Sequence, residues 1–151
     1  MNQPNPLMDA AFAEAEAAQA AGEVPIGAVV VEAGTGAIVA RAGNRTIRDR
    51  DPTAHAELLA IRAAAAARGN ERLGDLDLYV TLEPCAMCAG AISFARIRRL
   101  YYAAPDPKGG AVEHGPRFFR QPTCHHAPEV YGGIGEIRAA ALLKRFFAGR
   151  R

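Results

Sequence analysis

Two short segments carry residue types suited to hydrolytic chemistry, His55-Ala56-Glu57 and Pro84-Cys85-Ala86-Met87-Cys88. Neither is informative alone. A C-x-x-C pair serves disulfide exchange or half of a structural zinc site as readily as a catalytic metal, and a His-x-Glu is most often a solvated helix end. Together they fit one chemistry. Cysteines at i and i+3 near a helix start project from the same face, so both sulfurs reach a single ion. The positive end of the helix favours their thiolates. His55 supplies a further ligand and no fourth is evident, the pattern of a catalytic zinc that keeps one position for water. Two thiolates neutralise the dication, and such a water is still acidified towards a pKa of roughly 7. Glu57, next but one to His55, has no need to ligate. Its natural role is to take the proton from that water and deliver it to substrate and leaving group. Disulfide exchange is the runner-up for the cysteine pair, but it has no use for a His-x-Glu on another helix.

These residues need rigid elements beneath them. Met8–Ala21 is rich in Ala with Glu14 and Glu16, strong helix formers, and Gly22 supplies a stop. Pro25–Val31 and Ala37–Ala42 read as a hairpin around a turn with two glycines, followed by a polar loop, Gly43–Asp51, that carries Asn44. Thr53 is expected to cap a helix over Ala54–Arg68, closed by Gly69. Leu78–Thr81 reads as a buried strand, a helix runs from Cys85 to about Ala95, and Arg99–Ala103 is another strand. The Pro- and Gly-rich stretch Pro105–Pro128 holds at most a short helix near Arg117–Phe119. A strand at Glu129–Tyr131 and a helix over Glu136–Phe147 complete the chain. This alternation predicts a three-layer α/β/α sandwich with a mixed sheet of about five strands, in one domain spanning residues 1–151. Both chemical segments then sit where a long helix begins.

Composition narrows the class. At 151 residues and 16.0 kDa, with 50% hydrophobic and 23% charged residues, the chain has the makings of an ordinary globular core. A net charge of +2 neither requires nor excludes a nucleic-acid partner, since a local basic patch matters more than the total. Met1–Pro6 lacks the basic and apolar regions of a secretory signal. The Ala-rich runs are broken by Glu or Arg, so no membrane span is expected. Three cysteines do not make a disulfide framework, and a cytoplasmic location is expected.

The pairing of H-x-E with P-C-x-x-C resembles the signature of zinc-dependent nucleobase deaminases. The likeness goes further and covers roughly residues 8–148. Glu23-Val-Pro-Ile-Gly-Ala28, Gly43-Asn44-Arg45, Asp51-Pro-Thr-Ala-His-Ala-Glu57, Leu78-Tyr-Val-Thr-Leu-Glu-Pro-Cys-Ala-Met-Cys88, Ala89-Gly90-Ala91-Ile92, Arg96-Ile97 and Asp106-x-Lys108-Gly-Gly resemble the bacterial tRNA-specific adenosine deaminases. The resemblance implies a cytidine-deaminase-like fold and one Zn2+ per chain on His55, Cys85 and Cys88, with Glu57 as the catalytic proton carrier. It implies that Asn44 binds the flipped base and that Asp106 lies on a loop contacting the nucleotide. The implied reaction is hydrolysis of adenosine to inosine at the wobble position, with release of ammonia. The implied partner is the anticodon loop of tRNA, touched by both subunits of a homodimer, with no nucleotide cofactor. On the residues alone, Asn44 reads equally as a turn residue after Gly43, and Asp106 as a solvated charge between two prolines. Guanine deaminases share both motifs, so a free-base deaminase such as guanine deaminase is the alternative. Val80-Thr81-Leu82-Glu83 ahead of Pro84 favours the tRNA enzyme, and free cytidine deaminases carry Cys where His55 stands. A zinc-stabilised RNA-binding module without chemistry would have no need of Glu57.

One stretch departs from the family pattern. His125-His126 stand where an Asn-His pair is usual, preceded by an extra Cys124. A second metal site there is a weak alternative to a free thiol in a loop, because adjacent side chains rarely converge on one ion. Lys144-Arg145-Phe146-Phe147 with Arg150 and Arg151, and the cluster Arg96, Arg98 and Arg99, read either as RNA-contacting surface or as solvated charges beside buried aromatics.

Overall fold

The computed structural model of the chain describes residues 5–149. Its elements run in the order α1 (Pro6–Ala20), β1 (Gly27–Glu32), β2 (Ile38–Gly43), α2 (Ala56–Arg68), β3 (Leu76–Leu82), α3 (Ala86–Ala95), β4 (Arg99–Ala104), a 3-10 turn at Phe118–Arg120, β5 (Glu129–Tyr131) and α4 (Glu136–Ala148). The five strands form one mixed sheet in the order β2-β1-β3-β4-β5. β1 is antiparallel to both neighbours, while β3, β4 and β5 are mutually parallel. Strand alternation divides the core into two layers. Ala28, Val30, Leu78, Val80, Leu100 and Tyr102 face Ala56, Ala60 and Ile61 of α2 and Ile92 and Ala95 of α3. Val29, Val31, Tyr79 and Ala103 face Met8, Phe12 and Ala15 of α1 and Ala139 and Leu142 of α4. The architecture is the expected α/β/α sandwich.

Small residues set the depth of one layer. Gly27 and Gly43 are register partners on β1 and β2. A Cβ at Gly27 would lie 2.0 Å from the Ala11 carbonyl oxygen, and one at Gly43 would lie 2.7 Å from that of Glu14. Their bare backbones let α1 lie directly on the sheet, with Ala11, Ala15 and Ala18 in the gap.

Two expectations about element ends are corrected. Thr53 does not cap α2. Its amide and hydroxyl both donate to Asp51 Oδ1, closing a tight polar turn, and the cap position falls to His55. β1 begins at Gly27 rather than Pro25, because Pro25 has no N–H and the Ile26 N–H turns back to the Val24 carbonyl at 2.8 Å, while the Ile26 carbonyl accepts from Asn44 N–H at 3.0 Å. That second difference holds the Asn44 loop against the entrance of β1.

Candidate active site

The topology gathers the chemical residues at one end of the sheet. β2, β3 and β4 all point their carboxyl ends the same way, and β1 enters there. Asn44 follows β2, the segment Glu83-Pro84-Cys85 follows β3, and Asp106 follows β4. α2 starts at that end, with His55 at its cap and Glu57 in its first turn. Ligand sites in open α/β sheets form outside the carboxyl ends of strands.

Cys85 caps α3 and Cys88 lies in its first turn, fully buried. Nδ1 of His55 is 3.5 Å from Sγ of Cys85 and 3.7 Å from Sγ of Cys88. All three donor atoms lie within 4.8 Å of one another. A tetrahedral zinc with ordinary Zn–N and Zn–S bonds places such N and S ligands roughly 3.6 Å apart. The donors fit that ion, in number and in spacing, before any rearrangement.

Electrostatics agree. The Cys85 thiol is pulled down to about 4, chiefly by its hydrogen bond from Cys88 and then by His55, while Cys88 is driven up because it gives that bond and is buried. His55 is raised by its contact with Cys85. Glu57, only 4% exposed, is pushed up to about 7 by burial first and by the Cys85 charge next, against the opposing pull of His55. A bound dication would hold both sulfurs as thiolates and draw the Glu57 carboxyl back down.

Asn44 is 4% exposed, and its Oδ1 has no hydrogen-bond partner among the described residues. An unsatisfied buried acceptor costs about 1–3 kcal/mol, which is a physical reason to count it as a binding group rather than a turn residue. Asp106 lines a cleft of 660 Å3 together with Val24, Leu82, Lys108, Leu143 and Phe147. None of Asn44, His55, Glu57, Cys85 and Cys88 lines that cleft; the Asp106 side chain is half-buried, and its Oδ1 accepts from the amides of Lys108 and Gly109.

A family model, the cytidine and deoxycytidylate deaminase zinc-binding region, matches residues 1–104. A tRNA-specific adenosine deaminase of Agrobacterium fabrum is 61% identical over 145 residues, 96% of this chain and 94% of the relative. The chain belongs to this deaminase family, in its tRNA-specific adenosine deaminase branch. A solved structure from work on A-to-I editing by tRNA:A34 deaminases at the wobble position superposes on the deaminase with a TM-score of 0.88 and 62% identity, covering 91% of this chain and 98% of the other. A guanine deaminase from Nitrosomonas europaea follows the same fold at 26% identity, with a TM-score of 0.83 over 98% of this chain and 86% of the other. Zinc is the metal that this family's ligand set holds, and the His55–Cys85–Cys88 spacing suits it.

Other residues of interest fare differently. Cys124, His125 and His126 do not make a second metal cluster, since His55, Cys85 and Cys88 are the only such group among the described residues. Instead Cys124 Sγ lies 3.6 Å from Ser93 Oγ and donates to the His126 carbonyl, and a 2.7 Å bond joins His126 Nε2 to the Ile97 carbonyl. These contacts pin the loop to the end of α3. The Arg96, Arg98 and Arg99 cluster is largely neutralised. Arg98 makes a forked pair with Asp77, and Arg99 pairs with Glu129. In the last helix Phe146 is buried, whereas Phe147 is 56% exposed at the cleft beside exposed Lys144 and Arg145. Arg150 and Arg151 lie outside the described residues. Sequence reasoning gave no role to two buried carboxylates near the site. Glu23 accepts from the amides of Ile47 and Arg48, and Glu83 accepts from the loop after β4. The only sequence signal was a charge near an apolar strand, directly after β3 for Glu83 and shortly before β1 for Glu23.

No helix among the described residues is long and apolar enough to cross a membrane.

Proposed function

We propose that this chain hydrolyses adenosine to inosine at the wobble position of tRNA, with loss of the exocyclic amine as ammonia. One observation carries the reading: a metal-fitting triad beside the buried carboxyl of Glu57, in a chain 61% identical to a relative of that activity's name. Zinc bound by His55, Cys85 and Cys88 supplies an acidified water at the substrate. Glu57 carries the proton. Buried beside the ligands, the Glu57 carboxylate would take one proton from that water and give it to the ring nitrogen, then take the second from the added hydroxyl and give it to the departing amine. Asn44 offers its Oδ1 to a donor on the extruded nucleoside, and Asp106, on the loop after β4 at the same end of the sheet, contacts the nucleotide. The target lies in a single-stranded loop, which reduces the unstacking needed to bring the base out.

Guanine deamination would keep the fold and the triad. The identity of 62% to the tRNA:A34 deaminase structure against 26% to the guanine enzyme favours adenosine. The same reading takes residues 1–151 as one cytoplasmic domain acting as a homodimer. Supporting the dimer, α3 presents Phe94, 71% exposed, and Met87 along an apolar groove with Phe118, a surface of the kind a second copy covers. The test is a deamination assay on an anticodon stem-loop, free adenosine, guanine and cytidine. The stem-loop should be turned over with the highest kcat/KM, and faster turnover of guanine would pass the function to the alternative.

A further inference from the structure

Five donors converge on the buried carboxylate of Glu83. Its Oε1 accepts from Asp106 N–H at 3.0 Å and lies 2.8 Å from His114 Nδ1. Its Oε2 accepts from the amides of Val112 at 3.1 Å, Glu113 at 2.9 Å and His114 at 3.2 Å. A buried charge is tolerated only when so fully hydrogen-bonded. All five donors belong to one loop, the one that carries Asp106 and Lys108 to the rim of the cleft. Glu83 itself stands between the end of β3 and the ligand Cys85. Main-chain bonds reinforce the link: Glu83 N–H donates to the Ala104 carbonyl and Ala111 N–H to that of Pro84. Gly110 lets the loop close, since a Cβ there would lie 2.5 Å from the Glu83 carboxylate.

We propose that Glu83 is a positioning residue for substrate binding, holding the Asp106–His114 loop in register with the turn that bears the metal ligands. Asp106 and the turn that bears Cys85 then keep a fixed separation, so the nucleotide meets a loop already in place and no binding energy is spent on ordering it. Glu83 touches neither metal nor substrate and acts through Asp106. The inference rests on the reading that the Asp106 loop contacts the nucleotide.

Glu83→Gln separates this role from a structural one. The amide can keep its oxygen on the Val112, Glu113 and His114 N–H groups, which directs its NH2 at Asp106 N–H and His114 Nδ1. His114 can turn acceptor by changing tautomer, but the Asp106 N–H cannot. The variant therefore releases the Asp106 end of the loop and little else. Expected for an anticodon stem-loop is a KM raised roughly fivefold or more with kcat within about twofold, at unchanged zinc content. In an Asp106→Ala background, Glu83→Gln should add less than about twofold, because both changes remove one function. Gly110→Ala, whose Cβ would lie 2.5 Å from Glu83 Oε2 and 2.6 Å from the Asp106 carbonyl, pushes the loop off a carboxylate that stays in place; it should also raise KM, and it carries the test if Glu83→Gln does not fold. Unchanged KM, a loss confined to kcat, loss of zinc, or full multiplication with Asp106→Ala overturns the proposal, as does collapse of both variants, which would make Glu83 a folding residue. The parent enzyme on the stem-loop separates this from the proposed function. Should guanine be its better substrate, the same KM comparison is made with guanine, and the loop proposal stands or falls there.

Discussion

Nδ1 of His55 lies 3.5 Å from Sγ of Cys85, a residue 30 positions further along the chain. The contact exists because α2 and α3 both begin at the end of the sheet where β3 stops, and each offers a side chain from its cap position. The ligand set is therefore a tertiary product. Metal binding and the docking of two helix starts are one event, so the metal should stabilise the fold as well as the reaction.

Elemental analysis should accordingly find one zinc per chain. Removing it with a chelator should lower the melting temperature, and Cys85→Ser should lower both zinc content and stability. The expectation follows from three donors at ligand spacing and from the affinity that metal binding adds to the folded state. X-ray absorption should find two sulfurs, one nitrogen and one light solvent atom. Four protein ligands would make the zinc structural and remove the catalytic reading.

Glu57→Gln should keep the zinc and the fold yet lose nearly all turnover. The amide matches the carboxyl in shape but cannot accept the proton, so the loss should fall on kcat, by at least about a hundredfold, and much less on KM. The residue is buried, and the neutral amide suits that site better than a charge does, so stability should not suffer. Failure of the variant to hold metal would make Glu57 a ligand or a support, contrary to the role argued here.

Element types were well marked in the chain, because strong periodic segments carry their own signal. Even Glu129–Tyr131, three residues long, stands where its β-branched and aromatic content put it. The triad was legible because ligand chemistry limits the choice to few residue types. What failed to show depends on distant partners. Glu83 looks like an ordinary charge after a strand until donors 23 to 31 residues away arrive. Thr53 has the chemistry of a helix cap, but Asp51 captured it first. The strand order and the burial of Asn44 are likewise set by packing, and pattern alone left Asn44 balanced between turn and site.

Tyr102 gives a pH prediction for the fold. Its phenol is pushed up to about 12 from an ordinary value of 10.0, by burial first and then by the charges of Glu83, Glu113 and Glu136. The neutral form is favoured in the folded state, so its contribution is fully present below pH 10 and is lost as the pH rises towards 12. Stability should fall across that window, and Tyr102→Phe should flatten the fall, read by urea unfolding at a series of pH values. Tyr79, also raised to about 12 by burial and by Tyr101, should leave a residual slope in the variant. An identical slope in parent and variant would deny the shift at Tyr102.

The last prediction concerns RNA. Lys144 and Arg145 are exposed on α4, and Phe147 beside them faces the cleft that Asp106 and Lys108 line. Cations there would meet the phosphates of a bound loop, and the exposed ring would meet an unpaired base. Changing Lys144, Arg145, Arg150 and Arg151 to Ala should raise the Kd for an anticodon stem-loop. It should also flatten the dependence of log Kd on log salt by about 0.7 for each phosphate contact removed. Phe147→Ala should weaken binding with little change in that slope, because stacking releases no counterions. Zinc content should barely move in either variant, and melting temperature should barely move in the fourfold one, since Lys144 and Arg145 are exposed; Phe147→Ala also loses an edge contact with the buried Phe146 ring, 5.3 Å between centroids, and should lower the melting temperature slightly. Turnover of a free nucleoside should match that of the parent. Equal stem-loop affinity in the fourfold variant would take this end of the chain off the RNA surface and leave the phosphate contacts to the loops around Arg45 and Lys108.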